Sequence, residues 1–465
     1  KSDRRSLEVH RGPAGPSLTF DQLARRAEAV SLAQGPSAGE VIGLQSPNCP
    51  EWAVAFFGIL GSGAAVLPLD PHLTKEELAN AREQFGCHRI LGLDLPLEPT
   101  GAGGKRGRLP LSRPQDLAVL IASSGTTGKP KGVMLSHSNL LANLGQFRTM
   151  FPIGPEDAFL GLLPLHHAFP LMGCLLAGVS SGGRLVFPES LRPPALLQTI
   201  SNGGVSHALL VPGLLRLILK TLEKAGGAPA LGPAFKMAVV GGAPCPPALL
   251  EAASALGVKV IQGYGMSEAS PVIALNTLTA NRLGSVGRPV PDMELKIEGS
   301  GEGAAAEGAA AEGEILVRGP NVMQGYWKDP ERTAETLQTG WLRTGDIGAL
   351  DADGFLWIRG RSKNVIISES GKNVYPEEIE AELAKSELFR ESCVLGRQTD
   401  GSERIVAVVV PLSPMTVEQA RAETAARCAS LAEFKRVQEV VVWEKELPKT
   451  ASGKVKLAAV REMLG

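Results

Sequence analysis

Neither sign of charge dominates the 465-residue sequence: 47 Lys and Arg stand against 48 Asp and Glu, a net charge of −1. Proteins that hold DNA or RNA neutralise phosphates with clustered cations, so this balance excludes the basic field that nucleic-acid binding requires. Cysteines at metal or redox spacing are also missing. The six cysteines, at 49, 87, 174, 245, 393 and 428, form no Cys-x-x-Cys pair and no zinc pattern. Their scatter suits thiols, mostly core, in a reducing compartment. Long hydrophobic runs are absent too. Ala53 to Leu69 and Phe159 to Val179 are the most apolar stretches, but both contain Gly and Pro, and the second contains His166 and His167. A membrane-spanning helix needs about 20 apolar residues, so these read as buried helix and pocket wall, which leaves only peripheral contact with a membrane open. The charged start Lys1-Ser2-Asp3-Arg4-Arg5 is followed by no apolar run before Ser17, so no signal peptide is read and a cytoplasmic address is expected. The sequence has no initiator Met.

A chain of this length exceeds a single core, which stops growing at roughly 250–300 residues, so two or more domains are expected. From Leu18 onward helical stretches alternate with short apolar runs. Phe20 to Ala33, Cys49 to Ser62 and Thr74 to Phe85 read as helices, and Glu40 to Leu44 and Ala64 to Leu69 as strands. The same alternation returns with strands at Val205 to Leu210, Phe235 to Val240 and Lys259 to Ile261, and helices at Pro212 to Lys224 and Pro246 to Leu256. This is the pattern of α/β layers with largely parallel sheets, and strands that stop at Gly241-Gly242 and Gly263 place loops where such sheets bind ligands. After about Arg282 shorter strands (Glu294 to Ile297, Glu314 to Arg318, Gly354 to Ile358) suggest a smaller β subdomain. Gly299 to Gly313 reads as a low-complexity hairpin tip. A final small α+β domain is expected from Gly360: a helix at Tyr375 to Leu388, strands at Ile405 to Pro411 and Val437 to Trp443, and a terminal helix at Val455 to Leu464.

Residues 123 to 133, Ser-Ser-Gly-Thr-Thr-Gly-Lys-Pro-Lys-Gly-Val, follow the apolar run Leu117 to Ile121. Glycines let backbone approach oxyanions, hydroxyls and amides donate to them, and lysines add charge, so the run reads as a phosphate-handling loop. By itself it could equally be a strand-to-strand turn. It is not a Walker A loop, because only Thr126 and Thr127 separate Gly125 from Gly128, and Pro130 follows the lysine.

Four further motifs follow in order: Leu163-Pro164-Leu165-His166-His167; Gly263-Tyr264-Gly265-Met266-Ser267-Glu268; Thr344-Gly345-Asp346 with Gly360-Arg361-Ser362-Lys363; and Pro448-Lys449-Thr450-Ala451-Ser452-Gly453-Lys454. Together with the loop they resemble the acyl-adenylate-forming synthetases, the superfamily of acyl-CoA synthetases, peptide-synthetase adenylation domains and luciferases. The resemblance covers nearly the whole chain. It implies a large N-terminal domain, residues 1–360, with two α/β sheets and a small β subdomain holding the ATP and acyl pockets. It also implies a mobile α+β domain, residues 361–465, that swings about Lys363.

The implied reaction has two steps. A carboxylate attacks the α-phosphate of ATP to give acyl-AMP and pyrophosphate, and a thiol then takes the acyl group. In-line attack of one anion on another requires alignment and neutralised charge. The resemblance gives Ser123, Ser124, Gly125, Thr126, Thr127, Gly128 and Lys131 to the β- and γ-phosphates. Gly263, Tyr264 and Gly265 go to the adenine, with Tyr264 stacking, and Ser267 to the α-phosphate. Glu268 is the candidate Mg²⁺ ligand, since Mg²⁺ takes one or two carboxylates plus phosphate oxygens and water; the alternative is a helix N-terminal carboxylate. Asp346 would accept the ribose hydroxyls, with a turn-forming Asp as the alternative, and Arg361 would contact the nucleotide. Lys454 would stabilise charge developing between carboxylate and α-phosphate. His167 would gate the acyl pocket and thiol entry, Gly241, Gly242 and Ala243 would line that pocket, and Gly371 would line the thiol tunnel.

Relatives that activate amino acids carry an Asp near the Leu-Pro motif. Here His167-Ala168-Phe169-Pro170-Leu171-Met172 has no carboxylate, and a buried unpaired ammonium would be costly, which points to an acid lacking an α-amine. The segment Ile366 to Glu380 looks most like the long-chain fatty acyl synthetases, so a medium- or long-chain fatty acid is expected, with CoA as acceptor. Ser368 stands where many CoA ligases have lysine, so the arm of a holo-acyl carrier protein remains the alternative acceptor. A fatty acyl-AMP ligase and a non-catalytic relative remain as further readings.

Overall fold

The computed structural model describes residues 9–11, 17–35, 37–92, 112–123, 130–299, 312–368, 372–399, 402–449 and 455–464. The chain divides into two compact units, Lys1–Glu294 with Val317–Leu342, and Leu295–Leu316 with Arg343–Gly465.

The helices of the first unit start where local chemistry allows. Thr19 with Gln22, Thr74 with Glu77, and Ser136 with Asn139 each form a reciprocal capping box, which satisfies backbone N–H groups that a helix start leaves open. Between these helices lie apolar runs that become strands. Among the described residues one sheet has six strands in the order 325–326, 131–136, 117–123, 65–69, 41–45, 89–91. It is parallel from 117–123 to 89–91 and antiparallel at the other end. The central strand Ala65–Leu69 is buried along its whole length, as a strand covered on both faces must be.

A second sheet of eight described strands runs in the order 9–11, 184–187, 158–160, 207–210, 237–240, 260–265, 272–275, 288–289. Its first six strands are parallel and its last two antiparallel. The helices at Pro193–Asn202, Pro212–Ala225 and Pro247–Ala255 pack Leu196, Ile200, Leu215, Ile218, Leu222, Leu249 and Ala253 against Leu160, Ala208, Leu210, Ala238 and Val240. The expected α/β alternation is therefore present, with boundaries shifted by one or two residues. One strand differs more. It begins at Val260 and does not stop at Gly263; it runs to Gly265 and pairs back on Val272–Leu275. A Cβ at Gly263 would lie 2.5 Å from Leu275 Cδ1, and one at Gly265 would lie 2.1 Å from the Pro271 carbonyl oxygen. At Gly265, where the neighbour is backbone, only glycine permits this close return.

In the second unit, strands Phe389–Thr399 and Ser402–Pro411 pair antiparallel, and Glu439–Val442 runs parallel to the latter. Ile405, Ala407 and Val409 face a core with Ile366, Ile379, Leu383 and Ala420. Val406, Val408 and Val410 face the opposite one with Leu395, Leu447 and Val460. Alternation along one strand thus feeds two cores. The helix expected over Tyr375 to Leu388 is shorter, Pro376–Leu383: Ala384 to Ser386 close a turn on Glu380 and Leu383, and a strand starts at Phe389. The unit also includes Arg343–Leu350 and Leu356–Arg361 of the small β region, upstream of the expected boundary at residue 360.

Candidate active site

The Gly-Tyr-Gly motif ends the strand Val260–Gly265, and a single turn of 3₁₀ helix, Ser267–Ala269, carries Glu268. This turn is held from beneath by amides. Asn321 Nδ2 donates to the carbonyls of Ala269 at 2.7 Å and Val272 at 3.1 Å, and Ser270 Oγ donates to the Asn321 carbonyl at 2.8 Å. Asn143 exchanges two bonds with Val272, and Gln146 links Asn143 to Asn321. All three amide side chains are buried, and their bonds satisfy buried backbone groups around the turn.

Glu268 is itself buried at 8 % exposure. Its carbonyl accepts from Met323 N–H at 2.8 Å, and its carboxylate Oε1 accepts from the Tyr326 hydroxyl at 2.8 Å. Burial and the adjacent Glu268 carboxylate push the Tyr326 hydroxyl above its ordinary range, so it stays protonated and donates. Lys131 Nζ lies 5.0 Å from the centre of the same tyrosine ring. Lys131, Tyr326, Trp327 and Arg332 line a cavity of about 310 Å³ with Gln84 and Asp329. Sequence reasoning missed Tyr326, Asn143, Gln146 and Asn321.

Lys131 opens the strand Lys131–Ser136 and stands opposite Ser123, which closes Leu117–Ser123, so the phosphate-type loop joins two antiparallel strands. Ser124, Gly125, Thr126, Thr127 and Gly128 lie outside the described residues, as do Gly371 and Lys454.

The Leu-Pro-Leu-His-His motif is pinned by Asn48, whose side chain donates to the Gly161 and Leu163 carbonyls at 3.0 and 2.7 Å and accepts from Leu165 N–H at 2.9 Å. His166 and His167 have ring centres 4.2 Å apart. Burial holds the His166 imidazole below its usual pKa, against the pull of Asp70. His167 precedes a short helical turn, Ala168–Pro170, that widens into a π-helix over Leu171–Leu176. Wide turns of this kind are uncommon and are often found at functional sites. Gly241, after the strand Met237–Val240, brings the expected acyl-pocket residues together with the adenine motif: a Cβ there would stand 3.5 Å from both Phe169 Cζ and the Gly263 carbonyl oxygen. Gly242 follows with φ +79°, a conformation that favours glycine.

In the second unit, Asp346 lies opposite Arg361 on paired strands, with Arg361 Nε 3.0 Å from Asp346 Oδ1. Asp346 is 3 % exposed. Thr344 Oγ1 donates to the Ile315 carbonyl at 2.8 Å and accepts from Asp346 N–H at 3.1 Å, which fixes the Thr-Gly-Asp segment within the strand Trp341–Leu350. Lys363 is exposed on the next turn.

Residues 2–327 match the family model of the AMP-binding enzymes, and residues 378–454 match that of the AMP-binding enzyme C-terminal domain. The chain belongs to the AMP-binding enzyme family. Among curated relatives, an indoleacetate–CoA ligase of Aromatoleum aromaticum is 32 % identical, covering 96 % of this chain and 93 % of its own. A long-chain-fatty-acid–CoA ligase of Bacillus subtilis is 30 % identical, covering 95 % and 89 %. The solved O-succinylbenzoate coenzyme A synthetase of Bacillus subtilis, in complex with ATP and magnesium, aligns with a TM-score of 0.85 at 27 % identity, over 98 % of this chain and 96 % of that one. This AMP-binding enzyme is an AMP-forming acid–CoA ligase, with ATP and CoA as co-substrates and an adenylate intermediate. Among the described residues no helix is long and apolar enough to cross a membrane.

Magnesium suits the residues present. Among the described residues no three His, Cys, Asp or Glu converge as a protein-only metal cage. A single buried carboxylate with oxygen donors is instead the partial protein ligation typical of Mg²⁺, which completes its shell with phosphate oxygens and water.

Proposed function

We propose that the acid is a medium- or long-chain fatty acid, activated as its adenylate and passed to CoA. The observation that carries this reading is the wall from Ala168 to Leu176, which is almost wholly apolar, holds no carboxylate, widens at its π-helical turn and meets Gly241 through Phe169. An alkyl chain is stabilised by such a wall, whereas an ammonium would be left unpaired.

The roles follow from the chemistry each residue offers. Tyr264 stacks on adenine, Asp346 accepts the ribose hydroxyls, Arg361 contacts the nucleotide, and Ser267 donates to the α-phosphate. Glu268 would hold Mg²⁺, which when bound neutralises phosphate charge. Ser123, the residues 124–128 and Lys131 take the β- and γ-phosphates. Lys454 stabilises charge at the α-phosphate as the carboxylate attacks. His167, Gly241, Gly242 and Ala243 shape the acyl pocket, and Gly371 the thiol path. A domain boundary near residue 360 with a hinge at Lys363 would let the C-terminal part serve the two half-reactions in turn.

A second reading, an aryl acid, is favoured by one observation: the flat ring of Phe169 against the bare Gly241, a slot that also suits a planar substrate. ATP–pyrophosphate exchange over alkanoates of rising chain length, indoleacetate and cinnamate-type acids separates the two. Exchange that peaks with a medium or long alkanoate supports the fatty-acid reading, and exchange confined to aryl acids overturns it.

A further inference from the structure

Glu268 is gripped at two points by one short segment. Its carbonyl accepts from Met323 N–H and its carboxylate from the Tyr326 hydroxyl, both at 2.8 Å. That segment is rigid for local reasons. Gln324 N–H donates to the Met134 carbonyl and Trp327 N–H to the Gly132 carbonyl, which straps residues 324–327 to the strand Lys131–Ser136. Tyr326 N–H donates to Thr333 Oγ1 at 2.9 Å, and that hydroxyl donates to the Asp329 carbonyl at 2.7 Å. Gly325, with φ +141°, brings the backbone within 2.6 Å of Thr333 Cγ2 measured from where a Cβ would be, so no other residue fits between. The tyrosine ring, 4 % exposed, therefore has one place to stand.

Among the described residues Glu268 forms no ion pair with Lys, Arg or His, and its carboxylate is met by the Tyr326 hydroxyl. A buried carboxylate that meets, among the described residues, one neutral hydroxyl and no cationic side chain is a place where a bound cation is favoured. One donated bond leaves the remaining lone pairs of the carboxylate for that cation.

We propose that Tyr326 is a positioning residue for the Glu268 carboxylate: its O–H fixes the carboxylate so that the free lone pairs point to the divalent cation carried by ATP. The inference rests on the reading of Glu268 as the Mg²⁺ ligand. Tyr326 touches neither cation nor nucleotide in this role. It removes the rotational freedom that Glu268 would otherwise lose on binding.

The test measures binding and turnover separately. Mn²⁺ is titrated into the full chain with α,β-methylene-ATP, and free Mn²⁺ is followed by electron paramagnetic resonance in the unsubstituted protein, Tyr326→Phe and Glu268→Gln. Tyr326→Phe keeps the ring beside Lys131 and removes only the hydroxyl. It is expected to weaken Mn²⁺ binding about 10- to 100-fold, the usual effect of losing the hydrogen bond that orients a metal ligand. The Mg²⁺ needed for half-maximal ATP–pyrophosphate exchange should rise by a similar factor, while thioester formation from supplied acyl-AMP stays unchanged. If Glu268→Gln weakens Mn²⁺ binding and Tyr326→Phe does not, the positioning role is overturned and the Glu268 assignment stands. If Glu268→Gln leaves Mn²⁺ binding intact, the Glu268 reading fails and this inference with it. Should Tyr326→Phe not fold, Thr333→Val, which removes the acceptor of the Tyr326 N–H and so loosens the backbone that sets the ring, carries the comparison: a smaller weakening of Mn²⁺ binding in the same direction supports the positioning role, and unchanged binding overturns it.

Discussion

Arg361 Nε lies 3.0 Å from Asp346 Oδ1 across two paired strands, so the two residues expected to meet the nucleotide already meet each other. Asp346 is buried, and the Arg361 side chain is half exposed. A carboxylate oriented by an arginine, with its backbone fixed by Thr344, is pre-set to accept two adjacent hydroxyls. Asp346→Ala should raise the KM for ATP about 10- to 100-fold, the cost of two charge-assisted hydrogen bonds partly offset by water. Conversion of supplied acyl-AMP should fall as well, since the ribose remains in that substrate. A KM for ATP within twofold of the original would remove Asp346 from the nucleotide site.

The amide network under Glu268 gives a stability prediction. Asn321→Ala removes one amide that serves the Ala269 and Val272 carbonyls and accepts from Gln146. Each buried group left without a partner costs about 1–3 kcal/mol, so a loss of roughly 2–5 kcal/mol in urea unfolding is expected. Asn321→Asp should be nearly as harmful, because it replaces the donating amide by a charge. Unfolding curves that coincide with those of the unsubstituted protein would show that water replaces the amide at no cost.

These supports mark the limit of what the sequence reveals. The parallel strands are legible because chain buried on both faces reads as short apolar runs, as in Ala65–Leu69, and Gly241-Gly242 marks the end of Met237–Val240. The motif around Glu268 is legible by its order among the others. Its foundations are not. Asn143 reaches Val272 across 129 residues and Gln146 reaches Asn321 across 175, and a single buried amide has no local pattern that announces a partner so distant. Tyr326 leaves only a faint trace: the chain has three tyrosines, and one already stands in the adenine motif. The π-helical turn after His167 is hidden for another reason. An i→i+5 turn and an α-turn bury the same apolar residues, so Leu171–Leu176 reads as ordinary helix.

Gly241 gives a direct probe of the acyl pocket. A methyl group there would meet Phe169 Cζ and the Gly263 carbonyl at 3.5 Å, ordinary contact distances, so Gly241→Ala should fold normally. Gly241→Leu must displace Phe169 or fill the space beside it. Exchange with the preferred long or aryl acid is then expected to fall at least tenfold, while exchange with acetate or propionate is retained or rises, because pocket-filling groups discriminate by about 1–3 kcal/mol per missing or extra methylene. An equal loss with all acids, long and short, would place Gly241 outside the acyl pocket.

The second unit carries its own pH dependence, at Glu380. Burial pushes this carboxyl up to about 7, opposed by the Val394 N–H that donates to Oε1 at 2.8 Å, and Glu377 one turn earlier on the same helix adds to the rise. The Glu377 carboxyl is itself held above its usual value by burial. Because the folded pKa is raised from the ordinary 4.5, folding favours the protonated acid. Its contribution is full below about pH 4.5 and is lost as pH rises through about 7. Glu380→Gln keeps an oxygen for Val394 N–H and cannot ionise. It should therefore be more stable than the unsubstituted protein by about 1–3 kcal/mol at pH 8, and the difference should shrink towards zero near pH 4.5. Thermal unfolding of both proteins across that range checks the sign. A difference that does not change with pH would mean that Glu380 is already solvated and ionised in the folded chain.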